Sequence, residues 1–172
     1  MNISSHEEYG LRCALQLARH FGQGPLSASK IAEREGISVE YVSKFMHLFR
    51  KAGMVNSLRG TQGGFELSKE PRDIKLKEIL SSLEVHTCDG KSFCNQFSGQ
   101  REVCANYEEC SIRPVWSMIT FHLEKILESL SLADLLHPEA LVRSKIEQLF
   151  VTGLRPVDRV PKRSENLRER SL

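Results

Sequence analysis

Apolar residues near the start of the chain recur at the three- and four-residue spacing of an amphipathic helix. Their common side is formed by Tyr9, Cys13, Leu17 and Phe21. Ser5 and Glu8 have the spacing of a capping box, so the helix is predicted to begin there and to end near Gly22. Cys13 lies on the apolar side, where a cysteine usually behaves as a small buried hydrophobe.

Two shorter helical segments follow. Ser27 can cap a helix over residues 28–35, and Ser38 can cap a second helix over residues 39–52. Two helices joined by so tight a turn predict a helix-turn-helix, although an ordinary helical hairpin fits these residues equally well. In a helix-turn-helix the first turn of the second helix faces the bases of DNA. The residues predicted to do so are Ser38, Glu40, Tyr41, Ser43 and Lys44.

The next pattern favours the DNA-binding interpretation. Residues 54–58 and 65–67 have the composition of short strands, and three glycines in the intervening loop allow a tight hairpin. A helix-turn-helix followed by such a hairpin is a winged helix. Arg59 lies at the predicted wing tip, where its side chain suits a narrow minor groove. The predicted fold class is therefore mainly α with a small β-hairpin.

A further helix is marked by Leu76, Ile79, Leu80 and Leu83, and a long one begins near Pro114. The long helix carries a sustained apolar stripe, which predicts a dimerisation helix unless the stripe packs within its own chain. The residues assigned to the dimer contact are Ile119, Leu123, Ile126 and Leu130. Shorter helical patterns follow over residues 132–136 and 141–150.

Charge adds a weak signal for nucleic acid. The chain has 24 basic and 22 acidic residues, but residues 155–172 hold six of the basic and three of the acidic ones. Residues 27–72, where DNA would bind, contain eight basic residues and only five acidic ones. The start of the chain lacks the pattern of a signal peptide and no stretch resembles a membrane span, which predicts a cytoplasmic protein.

The chemistry-bearing stretch is residues 86–112, which contain four of the five cysteines. The four are Cys88, Cys94, Cys104 and Cys110. Thiolates are soft ligands for zinc or iron-sulfur clusters, so a polar loop with four of them between two helices predicts a metal site. An iron-sulfur cluster, 2Fe-2S or 4Fe-4S, is the first interpretation.

Three other interpretations remain beside the cluster. Zinc is the closest, but five residues separate Cys88 from Cys94 and Cys104 from Cys110, whereas zinc pairs are usually about two to four residues apart. Disulfides are disfavoured in a cytoplasmic protein. A catalytic cysteine with His86 as its base would not explain four thiols. No phosphate loop, nucleophile elbow or paired-carboxylate motif indicates an enzyme.

The sequence resembles the Rrf2 family of winged-helix transcription regulators, whose IscR-like and NsrR-like members bind iron-sulfur clusters. The resemblance covers about residues 1–136. It rests on EYGLR at residues 8–12, GISVEYV at 36–42, RGTQGGF at 59–65, and the spacing of Cys104, Cys110 and Trp116.

The resemblance implies a homodimer that binds partly palindromic promoter DNA and changes its affinity with the state of a cluster. IscR-like members place a histidine ligand three residues past the last cysteine, but this chain has Arg113 there. If only three thiols bind, the fourth ligand is His86, Glu8 of the partner subunit or a small molecule, although Glu8 is expected instead to complete the capping box.

The predicted organisation has four parts. Residues 1–85 form the DNA-binding domain, 86–112 the cluster loop, 113–151 the dimerisation helix and a helical appendage, and 152–172 a disordered basic tail. The predicted function is a transcription regulator, with repression as the expected direction, whose operator affinity depends on a cluster that senses nitric oxide, redox state or iron and cluster supply. The alternative is a zinc-stabilised DNA-binding or adaptor protein without a sensing role.

Overall fold

The computed structural model of the protein describes residues 3–60, 63–83 and 98–153. The helices are α1 (Ser5–Arg19), α2 (Ala28–Glu35), α3 (Val39–Lys51), α4 (Leu76–Ser82), α5 (Arg113–Ser129) and α6 (Glu139–Gly153). The strands are β1 (Val55–Leu58) and β2 (Gly64–Leu67), and short 3-10 helices span Pro71–Asp73 and Asp134–Leu136. The mainly helical fold with a small hairpin is confirmed. The disordered tail was predicted for residues 152–172, but residues 152 and 153 belong to the last turn of α6. The rest of the predicted tail lies outside the described residues.

Helix α1 has different ends from those predicted. Its capping box is formed by Ser4 and Glu7, not by Ser5 and Glu8. The prediction was wrong because both pairs have the same spacing and chemistry, so the sequence does not distinguish them. The helix ends at Arg19 because the next residues tighten into a turn, and Gly22 then reverses the chain with a φ of 79°.

The helix-turn-helix is built from local signals at its corner. Gly36 ends α2 in the left-handed conformation with a φ of 66°, and the Ile37 N–H donates to the Ala32 carbonyl at 3.1 Å. The Ser38 hydroxyl then accepts the Tyr41 N–H at 3.1 Å and starts α3. The predicted bounds of α2 are confirmed, and α3 ends one residue earlier than predicted.

The wing is tied to the helix-turn-helix by backbone hydrogen bonds. Strands β1 and β2 pair antiparallel, with Val55 opposite Leu67. On its other side β2 meets Leu26, which exchanges two 2.9 Å hydrogen bonds with Phe65. A Cβ on Gly64 would lie 2.6 Å from the Leu26 carbonyl oxygen. Only glycine permits this approach, so the wing has a fixed position relative to the start of α2.

One hydrophobic core joins α1, α3, α4 and the base of the wing. Its largest fully buried side chains are Phe45, Phe49, Leu26, Ile31, Met46, Ile74, Ile79, Leu132, Val42 and Cys13. Helices α1 and α4 approach closely at Gly10, where a Cβ would meet the Leu83 side chain at 2.5 Å. The core fixes the helix-turn-helix against α1 and α4.

The chain returns to this core after α5. The Leu132 N–H donates to the Ile74 carbonyl at 2.8 Å, and the Leu76 N–H donates to the Leu130 carbonyl at 3.0 Å. Leu130 and Leu132 are buried with the winged-helix residues. Helix α6 then packs against α5. Within the part of the chain that the structure describes, no helix is both long and apolar enough to cross a bilayer.

Candidate DNA interface and cysteine site

The outer face of α3 carries the candidates for DNA reading. Glu40, Ser43 and Lys44 are exposed on it. The pKa of Glu40 is lowered by hydrogen bonds from its own backbone N–H and from Ser38. These side chains project away from the core on the helix that a helix-turn-helix places in the major groove.

Two of the residues predicted to face DNA are engaged within the protein. The hydroxyl of Ser38 accepts the backbone N–H that starts α3. The ring of Tyr41 is half-buried and turned toward α1, with its centroid 4.6 Å from that of Phe45 and 6.1 Å from that of Tyr9. Tyr41 therefore has a packing role, because it lies on the side of α3 that packs against α1. Ser38 caps the helix and is exposed.

Arg59 is exposed directly after β1, at the tip of the wing. Gly60 follows it with a φ of 117°, and a Cβ on Gly63 would collide with the Leu58 carbonyl. These two glycines close the hairpin tightly enough to hold the arginine beyond the sheet. The loop residues 61 and 62 lie outside the described residues.

The loop before α5 holds two free, half-buried thiols, those of Cys104 and Cys110. Tyr107 lies between them, and its N–H donates to the Cys104 carbonyl at 3.0 Å. The guanidinium of Arg113 donates to the Tyr107 carbonyl and lies 5.6 Å from the centre of the Tyr107 ring. Arg113 thus connects the cysteine loop to the first turn of α5.

Both thiols are free and partly accessible, as metal ligands must be, and Cys110 lies shortly before α5. Cys88, Cys94 and His86 lie outside the described residues. Among residues 3–60, 63–83 and 98–153, no three histidine, cysteine or acidic side chains gather around one centre. Glu8 is exposed on α1 and does not take the capping role that was predicted for it.

Cys13 has a different environment from the loop cysteines. It is fully buried in the core, and burial, reinforced by the charge of Glu35, raises its pKa to about 12. The thiol therefore stays protonated at neutral pH and is a poor metal ligand. Its prediction as a buried hydrophobe is confirmed.

The residues assigned to dimerisation are not equivalent. Ile119 is 45% exposed, Leu123 and Ile126 are half-buried, and Leu130 is only 3% exposed. Leu130 belongs to the core of its own chain, so its assignment to the dimer face is corrected. The exposed apolar residues around Ile119 are Ile112, Val115, Trp116, Met118 and Phe121.

Comparison with known proteins identifies the chain. Residues 3–138 match the Rrf2 family, which is described as iron-dependent transcriptional regulators. The chain belongs to the Rrf2 family. Protein rrf2 of Nitratidesulfovibrio vulgaris is 30% identical to it over 145 residues, which cover 82% of this chain and 91% of that relative.

Two solved Rrf2-like structures also resemble it. IscR of T. potens is 35% identical with a TM-score of 0.64, over 79% of this chain and 86% of the other. CymR, the global cysteine regulator of B. subtilis, is 32% identical with a TM-score of 0.64, over 78% and 95%. The Rrf2 assignment makes the protein a DNA-binding transcriptional regulator and not an enzyme.

One polar network of this Rrf2 winged helix was missed by the sequence reasoning. Glu35, the last residue of α2, has a side chain that is only 6% exposed. Its carboxylate accepts a hydrogen bond from Arg12 at 2.5 Å and another from the Gln16 amide. The hydrogen bond to Glu35 raises the pKa of Arg12. Glu35 itself was the sequence feature that could have indicated this network, because an acidic residue at a helix C-terminus is disfavoured without a partner.

Proposed function

We propose that this Rrf2 protein is a cytoplasmic, homodimeric repressor whose affinity for operator DNA is controlled by an iron-sulfur cluster. The cluster would report nitric oxide, redox state, or the supply of iron and clusters. The observation that carries the proposal is the pair of free, half-buried thiols, Cys104 and Cys110, in the loop attached to α5. The family description as iron-dependent regulators supports it.

The cluster is held by Cys104, Cys110 and at least one of Cys88 and Cys94. If both of the latter bind, four thiolates complete the site. If one does, His86, Glu8 of the partner subunit or a small molecule supplies the remaining ligand. Glu8 is exposed on α1 and is not part of the capping box, which is compatible with that role.

Cluster loss can alter DNA binding only if the cluster stabilises one arrangement of the protein over another. The contact of Arg113 with Tyr107 offers a physical route, because it joins the loop between the cysteines to the start of α5. Helix α5 in turn packs on α4, which contacts α3. A change in the loop would therefore reach the reading helix through packed elements.

The test is a set of single alanine variants at the four loop cysteines, with Cys13→Ala as the matched control. After purification without oxygen, iron, acid-labile sulfide, visible absorbance and operator binding are measured. Cys104→Ala and Cys110→Ala should lose the brown colour and the iron, whereas Cys13→Ala should keep both.

Each result decides between alternatives. Full iron content in both Cys104→Ala and Cys110→Ala would exclude this site. A colourless wild-type protein with bound zinc would favour the zinc-stabilised DNA-binding protein. Equal operator affinity with and without the cluster would remove the sensing role.

For DNA contact we propose that Ser43, Lys44 and Glu40 face the major groove and that Arg59 enters a minor groove. Ser38 caps the start of this helix and Tyr41 packs against α1, so both support the position of this face. Loss of a base-reading contact typically costs about 1 to 3 kcal/mol, whereas loss of a phosphate contact weakens all sequences alike. Lys44→Ala and Arg59→Ala should therefore weaken operator binding, as measured by fluorescence anisotropy. Unchanged operator affinity in both variants would refute the placement.

A further inference from the structure

Glu35 carries a charge in a place where a charge is costly. Its side chain is 6% exposed and lies at the C-terminal end of α2, where the helix dipole disfavours a carboxylate. A buried charge is tolerated when it is paired and hydrogen-bonded. Both carboxylate oxygens have partners on α1, because one accepts from Arg12 and the other from Gln16. Gln16 is itself only 6% exposed.

Arg12 contacts α2 directly and is connected to α3 through Tyr9. Its Nε is 2.5 Å from the Glu35 carboxylate at the end of α2. Its guanidinium also lies 5.2 Å from the centre of the Tyr9 ring, and Tyr9 packs against Tyr41 in the first turn of α3. Two neighbouring side chains of α1, Arg12 and Tyr9, therefore connect the end of α2 to the first turn of the reading helix.

We propose that Arg12 and Glu35 are positioning residues for sequence reading, which set the angle of α3 relative to α1. A binding constellation must be held within about 0.5 Å of its productive geometry, so a small rotation of α3 would misplace its base contacts. Phosphate contacts tolerate such a shift better, because they depend less on orientation. The network should therefore affect operator recognition more than general DNA affinity.

The decisive variant is Glu35→Gln, which keeps the shape of the side chain and removes its charge. The substitution makes the protein more positive, so electrostatics alone would strengthen its binding to every DNA. A positioning role predicts the opposite effect on the operator, which is a loss of binding affinity. We expect operator affinity to fall about tenfold, within the range for one base contact, and affinity for mixed-sequence DNA to stay equal or rise.

The probes are a duplex selected by the wild-type protein from a random-sequence pool and a mixed-sequence duplex of the same length. Glu33→Gln is the matched control, since Glu33 is exposed on the same helix and its loss changes the net charge equally. Arg12→Lys provides a second variant, which keeps the charge but loses the planar Nε donor.

Arg12→Lys should show the same selective loss as Glu35→Gln, with a far-UV spectrum like that of the wild type. The proposal is overturned if Glu35→Gln and Glu33→Gln change operator affinity alike, or if both duplexes lose affinity equally. If Glu35→Gln unfolds, the test uses Arg12→Lys instead. An unchanged ratio of operator affinity to mixed-sequence affinity in that variant would overturn the proposal.

Discussion

The two halves of α5 have different surroundings although they share one apolar pattern. In the first half Val115 is 55%, Met118 is 58% and Ile119 is 45% exposed. In the second half Ile126 and Leu127 pack against the core of the same chain, and Leu130 directly after the helix is buried in it. Within the part of the chain that the structure describes, the apolar stripe of one helix is thus buried in the core at one end and exposed at the other.

The difference identifies which part of the helix is available to a second copy of the chain. Contiguous exposed apolar surface on a protein usually marks an interaction site. The second half is held in place by α4, where Lys77 lies 2.7 Å from Glu128 and 3.7 Å from Glu124. We therefore place the proposed dimer contact on the first half, around Ile119, rather than at the centre of the whole stripe.

The largest effect is expected where the stripe enters the core. Leu130→Ala removes a side chain that is 3% exposed, so it should lower the free energy of unfolding by about 2 to 5 kcal/mol. Urea unfolding measures this loss, which should not depend on protein concentration. Leu141→Ala is the control: Leu141 is 59% exposed, and its change should stay within about 0.5 kcal/mol. Equal losses in the two variants would contradict the core role of Leu130.

The next effect concerns the exposed half of the helix. Ile119→Glu should give a folded monomer, because a glutamate buried at a dimer contact would lose its hydration without gaining a partner. Sedimentation velocity reports the mass, and far-UV circular dichroism reports the fold. Ile126→Glu, half-buried in its own chain, should instead be unstable or insoluble. Leu141→Glu, exposed on α6, should remain dimeric. A soluble dimer from Ile119→Glu would exclude this surface.

Features that depend on neighbouring residues in sequence were predicted well. Ser27 and Ser38 accept backbone N–H groups at helix starts, and Gly36 ends α2, as each residue's own chemistry requires. The exception is the capping box of α1, where Ser4 with Glu7 and Ser5 with Glu8 offer the same motif one residue apart. Here the sequence contains two equivalent capping boxes, and the structure forms the one between Ser4 and Glu7.

Features that depend on distant parts of the chain were predicted poorly. The orientation of Tyr41 follows from its contact with α1, and the burial of Leu130 follows from its pairing with the start of α4. The partners of Glu35 are 19 and 23 residues away in sequence. For the candidate site, the sequence located the cysteines, but the link from Arg113 to Tyr107 became evident only in three dimensions.

The smallest effect is expected at Asp134, whose hydrogen bonds hold the chain just after α5. The Asp134 carboxylate accepts hydrogen bonds from the Ser131 N–H and hydroxyl at 2.8 Å each, and from Lys145 of α6 at 2.6 Å. Burial acts to raise the pKa of Asp134, but the hydrogen bonds from Lys145 and Ser131 outweigh it and hold the pKa below the ordinary 3.8.

The folded state therefore binds the proton of Asp134 less tightly than the unfolded state does. This contribution to stability is complete above pH 3.8 and is lost as the pH falls through the lower, folded value. Asp134→Asn should cost at most about 1 kcal/mol at neutral pH, as for a partly exposed ion pair, and the cost should shrink in acid. Urea midpoints across this range measure it. Glu139→Gln, which breaks an exposed ion pair with Arg143 on α6, should leave the acid dependence unchanged. If both variants gave the same pH profile, Asp134 would not anchor this end of α5.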